Sequence, residues 1–342
     1  MWFGSRSLDD DDLVGATLAH SLQLAPRNKL RKGHILTRDD LGAIRAAGID
    51  EVTVAIGEPG DMTEDAAAAH IADVFPLEGF RRADVGTGRV NFHALSDGVL
   101  ELAPGRIDAL NRVDPAITLA TLPNHSHVRA GQMIATVKII AFAVSGQLVE
   151  KAAAEVQEPD TLRVHAFRDG LKAAMIQTRV KGTRSSMLDK TVRITEARLA
   201  EAHAELAGET RTAHAIGELS AEIAARLGEV DMLLVFGASA VTDRRDVVPQ
   251  AIERAGGTVL HVGMPVDPGN LLVLGEIGGK PVIGAPGCAR SPKENGFDWV
   301  LRRLCAGIAV TADDIVAMGV GGLLTEIPVR PHPRETTSPA GG

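Results

Sequence analysis

The sequence predicts an α/β protein: three layers around a parallel or mixed sheet, preceded by a smaller α+β region. Three observations carry that reading. From about residue 160 onward, short apolar runs alternate with helical periods in a βαβα rhythm. One of those runs, Met232 to Phe236, is continuously hydrophobic, as a central parallel strand covered on both faces requires. Aromatic residues make up only 3% of the chain and Tyr is absent, so Ala, Val, Leu, Ile and Gly must fill the core. That composition suits α/β layers better than an aromatic-rich sandwich.

At 342 residues the chain exceeds one typical core. The expected organisation is an acidic flexible tail over 1–12, an α+β region over 13–150, an α/β domain over 160–330 and a flexible tail or linker over 331–342. In the first region Thr37 and Asp40 are spaced as a capping box before a short helix that ends at Gly48. Residues Glu51 to Ile56 alternate like a strand, and Thr63 caps a helix from Glu64 to about Val74. From Gly86 to Val144 the signals are β, with breaks at Gly98, Pro104-Gly105, Pro123-Asn124 and Gly131. Lys151 to Pro159 reads as a short helical connector.

In the second region Lys172 to Gln177 is the first expected strand, and Thr191 to about Ala207 a helix with Ile194, Ala197 and Leu199 to one side. Thr210 to Ala215 is a weaker second strand. Leu219, Ile223 and Leu227 mark a helix at four-residue spacing. After the Met232 to Phe236 strand come a helix from Val247 to Ala255 and a strand from Thr258 to Val262. Gly278-Gly279 then sits between two short apolar runs as a hairpin turn. Phe297 to Leu304 is the last clear helix, and the Pro-, Ser- and Thr-rich stretch after Arg330 reads as a disordered end.

Charge and composition exclude several functions. The formal net charge of −8, from 36 Lys+Arg against 44 Asp+Glu, opposes a general nucleic-acid binder. A single small phosphorylated ligand needs only a few local donors and stays allowed. Two cysteines, Cys288 and Cys305, fit a reducing compartment. The N-terminus has no apolar targeting segment, and the apolar stretch Met133 to Val144 contains Lys138 and is far shorter than the roughly 20 residues that span a bilayer. A cytoplasmic protein without nucleic-acid or membrane partners is expected.

Two loops carry the candidate chemistry. The first, Gly237-Ala238-Ser239-Ala240-Val241-Thr242-Asp243-Arg244-Arg245-Asp246, joins the apolar strand to a helix. Gly237 lets backbone N–H groups approach an anion, Ser239 and Thr242 add hydroxyls, and the helix N-terminus favours phosphate. Asp243 and Asp246 suit a cation such as Mg²⁺ or the orientation of a reacting group. The bland alternative is a helix start with ordinary Asp caps. The second loop contains Pro286, Gly287, Arg290, Ser291 and Lys293, a Pro-Gly turn followed by donors for phosphate or a ring carbonyl. A third, Ser185 to Thr191, is expected as a loop on the same sheet edge and contains Asp189. His125 and His127 are read as satisfied polar histidines, and Cys288 as a small turn-compatible residue. Gly86-Thr87-Gly88 is an incomplete dinucleotide fingerprint.

With these motifs in view, the second half resembles the molybdopterin-binding domain shared by molybdopterin adenylyltransferases and molybdotransferases. Gly237-x-Ser239…Asp243…Asp246-Val247-x-Pro249 and Pro286-Gly287-x-x-x-Ser291 are similar to that family's two signatures. Ala238 replaces the usual second glycine, and Cys288-Ala289 stands where relatives carry Asn-Pro. Lys32 to Thr37 with Ala46 to Val54 resembles the region preceding this module in molybdotransferases, without their Ala-Met-Asp-Gly-Tyr-Ala motif. Residues 285–292 and Met318 to Leu324 look like the pterin-binding half of bacterial proteins fused to a cofactor nucleotidyltransferase. The resemblance implies molybdopterin as ligand or substrate, with Mg²⁺, in metal or nucleotide transfer to the pterin. Asp189, Asp243 and Asp246 would be its catalytic groups. The alternative is a non-catalytic carrier handing the pterin to a cytidylyltransferase or molybdoenzyme; a homo-oligomer is implied in either case.

Overall fold

The computed structural model describes residues 1–324; the tail expected after Arg330 lies outside them. Chain contacts divide the protein into two units, meeting between Ala166 and Phe167.

The N-terminal unit is built from small antiparallel sheets. Strands β1 (Trp2–Ser7) and β2 (Thr17–Leu18) flank β5 (Glu51–Ile56), while β3 (Leu22–Ala25) and β4 (Asn28–Leu30) form a hairpin. Helix α1 (Arg38–Ala46) starts with the expected capping box: Asp40 N–H donates to Thr37 Oγ1 at 3.2 Å, and Thr37 N–H to Asp40 Oδ2 at 2.9 Å. Thr37 and His34 hold the Asp40 carboxyl down at about 2. Leu13, Leu18, Ile44, Val52 and Val54 are the core beneath this layer.

A second core lies under α2 (Glu64–Asp73), which follows β6 (Asp61–Thr63) and is capped by Thr63. It is enclosed by β7 (Phe80–Arg82), β8 (Arg89–Ala94), β10 (Ile117–Thr121) and β12 (Met133–Ile139), in the order β10-β12-β8-β7. Strand β9 (Gly98–Leu102) lies between β11 (His127–Val128) and β14 (Leu162–Ala166), and β13 (Ala143–Ser145) pairs with β6. Two helices depart from the sequence reading. Pro104-Gly105, read as a strand break, opens α3 (Pro104–Asn111), because proline's fixed φ suits the first helical position and Ile107 and Leu110 then bury on one side. The expected connector begins five residues early, as α4 (Gly146–Val156). Its apolar stripe Val149, Ala152, Ala153 and Val156 makes it part of the core.

The C-terminal unit holds one six-stranded mixed sheet, ordered β16-β15-β17-β20-β19-β18. Strands β15 (Leu171–Arg179), β16 (Ala204–Ala213), β17 (Met232–Phe236) and β20 (Lys280–Ala285) run parallel. Strand β19 (Val273–Ile277) is antiparallel to β20 and to β18 (Thr258–Val262). Gly278 and Gly279, at φ +57° and +77°, make the two-residue turn into β20, which side chains with a Cβ rarely allow.

Alternate residues of this sheet face opposite helix layers. On one face Ile176, Leu233, Val235 and Val282 pack with α6 (Ile216–Leu227) and α7 (Val247–Arg254). On the other, Phe236 meets Phe297 of α8 (Gly296–Cys305) at 6.2 Å, and Gln177 Nε2 donates to Leu188 O of α5 (Ser185–Glu201). Each fully buried Leu, Val or Phe contributes about 1.5–3 kcal/mol. The three expected layers are present, and the sheet is mixed.

Helix α5 differs from its reading at both ends. It begins at Ser185, so the expected Ser185 to Thr191 loop is helical, and it stops at Glu201, leaving Ala204 onward to the longer strand β16. Its buried stripe is Leu188, Thr191, Thr195, Arg198 and Leu199, whereas Ala197 is exposed. Three polar residues in that stripe hid the period. A last helix, α9 (Ala312–Ala317), is capped by Thr311. Among the described residues no helix is long and apolar enough to cross a membrane.

Candidate functional site

Strands β15, β17 and β20 end at one edge of the C-terminal sheet, where open α/β sheets bind ligands. A cavity of about 480 Å³ lies there. Its walls are residues 237–241 after β17, residues 284–288 with Arg290 after β20, and Thr183 and Met187 from the β15–α5 side. Residues 267–271, ahead of β19, close the fourth side.

Thr178, fully buried at the end of β15, sets the first wall. Its hydroxyl accepts from Ala238 N–H at 2.7 Å and shares a 2.8 Å hydrogen bond with His214 Nδ1. A Cβ on Gly237 would lie 2.8 Å from Ser239 O, so the backbone can fold this tightly only with glycine there. Asp246 is the N-cap of α7: Oδ1 accepts from Val247 N–H at 2.9 Å and Oδ2 from Thr242 N–H at 3.2 Å. Asp243 pairs with Arg245 at 2.7 Å, and that arginine holds its carboxyl below the usual range.

The second wall is fastened from beneath by Arg198. Its guanidinium, 8% exposed, bonds Asp298 at 2.6 Å and donates to the carbonyls of Ala289, Ser291 and Lys293 at 2.7, 2.6 and 3.1 Å. Asp298 completes a capping box with Asn295 at the start of α8. The loop is thereby held as a 3-10 turn over Gly287–Arg290.

Arg290 is the cation of the cavity. It is half-buried, 5.3 Å from the Phe236 ring, and among the described residues no carboxylate pairs with it. Its Nη1 donates to Gln177 Oε1 and Thr191 Oγ1, both at 2.9 Å, and Nη2 to Gly237 O at 3.1 Å. Three of the five guanidinium donors are therefore used, leaving Nε–H and one Nη2–H for a ligand. Desolvation lowers its pKa, yet a guanidinium stays charged, so a positive charge is held with incomplete hydration and, among the described residues, without a paired carboxylate. Burial likewise pushes the Cys288 thiol up, keeping it protonated and poorly nucleophilic.

The structure thus brings Gly237, Ser239, Pro286, Gly287 and Arg290 into one lining. Thr242, Asp243, Asp246, Ser291, Lys293 and Asp189 lie outside it. Asp189 is on α5, bonded to Arg211 at 2.5 Å. Missed by the sequence reading are Gln177, Thr178 and Arg198, which join segments distant in sequence, and the 267–271 segment. Asp267 is held from the other side, by its N–H to Gly322 O at 2.8 Å and its carbonyl to Leu324 N–H at 3.0 Å. The Met318 to Leu324 motif thereby supports the cavity's fourth wall. Among the described residues no group of three or more His, Cys, Asp or Glu side chains is placed to hold a metal ion.

Comparison with known proteins gives this geometry its context. Residues 174–306, spanning β15 to α8, match a family model described as "Probable molybdopterin binding domain". The C-terminal unit carries a molybdopterin-binding domain. Its place is in molybdenum cofactor biosynthesis. All five lining residues just named fall inside the matched segment of the molybdopterin-binding domain. Residues 10–56 match a "Domain of unknown function (DUF8806)". No curated protein matches the chain in sequence. Among solved structures, it is similar to a molybdopterin biosynthesis MoeA protein from Pyrococcus horikosii, at 14% identity and a TM-score of 0.31, over 72% of this chain and 79% of that one. A molybdenum cofactor biosynthesis protein from Pyrococcus furiosus is similar at 12% identity and a TM-score of 0.23, over 92% of this chain and 65% of that one.

Proposed function

We propose that the cavity at the ends of β15, β17 and β20 holds molybdopterin, with Arg290 anchoring its phosphate and the Gly237 to Val241 turn facing the rest of the ligand. The observation that carries this reading is the unpaired Arg290 guanidinium in a cavity of about 480 Å³. A half-buried cation with two unused donors is stabilised by an anion that accepts both, as a phosphate does bidentately. Ser239, which also lines the cavity, adds a hydroxyl donor from the turn that Arg290 touches at Gly237.

In the enzymatic version of this reading the bound pterin receives a metal or a nucleotide, and the chain contributes positioning and charge neutralisation. The carboxylates of Asp243 and Asp246 do not fit a Mg²⁺ site, because a guanidinium and backbone N–H groups already occupy their oxygens. Mg²⁺ then enters only as an ion accompanying the phosphorylated ligand, and no step is assigned to it. The same engagement favours a second reading, a carrier that passes the pterin unchanged to a cytidylyltransferase or molybdoenzyme, acting in the cytoplasm as a homo-oligomer.

Anaerobic titration of the purified chain with molybdopterin tests both. Adding ATP, CTP, Mg²⁺ and molybdate, then chromatographing the released pterin, separates conversion from carriage. Binding that survives Arg290→Ala unchanged would remove the anchor and with it this reading.

A further inference from the structure

Arg290 stands at the end of a longer chain of polar contacts. Gln177 is fully buried, and its Nε2 donates to Leu188 O and to Glu209 Oε1, both at 3.0 Å. Both partners accept only, so the amide is held with Oε1 toward Arg290. Glu209 Oε1 also accepts from Arg211 Nε at 2.6 Å, and Arg211 Nη2 reaches Asp189 Oδ1 at 2.5 Å. These contacts join β16, β15, α5 and the loop after β20 in one line from the sheet edge to the cavity.

We propose that Glu209, acting through the Gln177 amide, is the positioning residue that keeps the Arg290 guanidinium open for a phosphate, with Arg211 and Asp189 holding Glu209 in turn. The proposal rests on the reading of the cavity as a phosphorylated-pterin site and adds the group that sets its selectivity for the phosphate. Without an acceptor at 209 the Gln177 amide keeps only the Leu188 carbonyl for its NH₂, so a half-turn flip costs less. In the flipped state its NH₂ faces the guanidinium, donor against donor, and Arg290 is left with Thr191 and Gly237 as its partners. The carboxylate Oε1 alone takes both bonds from Gln177 and Arg211. A glutamine at 209 can supply the same oxygen in the same place, so Glu209→Gln retains the effect.

Anaerobic titration of the full chain with molybdopterin, and separately with its dephosphorylated form, tests this on wild type, Glu209→Ala, Glu209→Gln, Arg211→Ala and Arg290→Ala. Glu209→Ala is expected to weaken the phosphorylated pterin about three- to tenfold and to leave the dephosphorylated one within about twofold. Glu209→Gln restores the difference. Equal weakening of both ligands by Glu209→Ala marks a merely structural role and overturns the proposal, as does wild-type binding. If Arg290→Ala itself leaves the phosphorylated pterin unaffected, the underlying reading of the cavity fails instead. Should Glu209→Ala not fold, Arg211→Ala carries the test: a loss of about two- to threefold confined to the phosphorylated ligand is expected, and none overturns it.

Discussion

Two arginines of the C-terminal unit sit on opposite sides of one loop and are spent differently. Arg198, below the loop after β20, is bound by Asp298 and three carbonyls, so its charge is neutralised and its donors are directed inward. Arg290, on the cavity side of that loop, bonds only neutral acceptors among the described residues and keeps two donors in reserve. The first arrangement is what a structural charge requires; the second leaves a charge waiting for a partner from outside. Residue type does not distinguish these roles, whereas the inventory of partners does.

The strongest way to break this comparison is Arg198→Ala. It strands Asp298 in the interior and frees three carbonyls, for an expected loss of about 3–5 kcal/mol in urea unfolding followed through Trp299. If stability barely changes, Arg198 is not the fastener described. Arg290→Ala is expected to invert the pattern, with unfolding nearly unchanged and phosphorylated-pterin affinity reduced about tenfold to a hundredfold. Asp246→Ala sharpens the comparison on the neighbouring loop. As an N-cap it contributes about 1 kcal/mol of stability, and removing it should leave binding within about twofold. Lost turnover with stability intact would return Asp246 to the reacting groups.

The smallest effect lies in the N-terminal unit. The Asp40 carboxyl is held at about 2, below the ordinary 3.8, so its ionised form stabilises the fold. That contribution is complete above the ordinary value and is lost as pH falls through about 2. The stability gap between wild type and Asp40→Asn, read by Trp2 fluorescence, should therefore be present at pH 5 and close near pH 2. A gap that widens on acidification contradicts the assignment.

Local pattern made much of this molecule legible. The apolar run at β17, the two glycines before β20, the Thr37 capping box and the glycine turn at 237 each announce themselves within a few residues. What escaped depends on contacts between distant segments. Gln177 is the last residue of the strand expected over Lys172 to Gln177, and it is completely buried with Leu188, Glu209 and Arg290 as hydrogen-bond partners far along the chain. Thr191, Thr195 and Arg198 are polar members of a buried stripe, so the apolar period understated α5. Residues 267–271 reach the cavity because β19 runs against its neighbours, which brings the loop before that strand, rather than after it, to the binding edge. Strand direction of this kind is set by tertiary pairing and leaves no local mark.

The mixed sheet also bears on the order of folding. Strands β19 and β20 share a two-residue turn, so they can zip together within microseconds, and β18 adds to them locally. Pairing β20 with β17 instead closes a chain segment of many residues, and loop-closure entropy predicts that it comes later. Because the cavity needs loops from both strands, it exists only after that closure, and a nascent or half-assembled chain offers the ligand nothing complete to bind. A ligand bound there would stabilise the finished unit by about 2.7 kcal/mol at a hundredfold excess over Kd. On the proposed reading, the pterin-saturated chain would open, and be cut by protease, correspondingly less often than the free one.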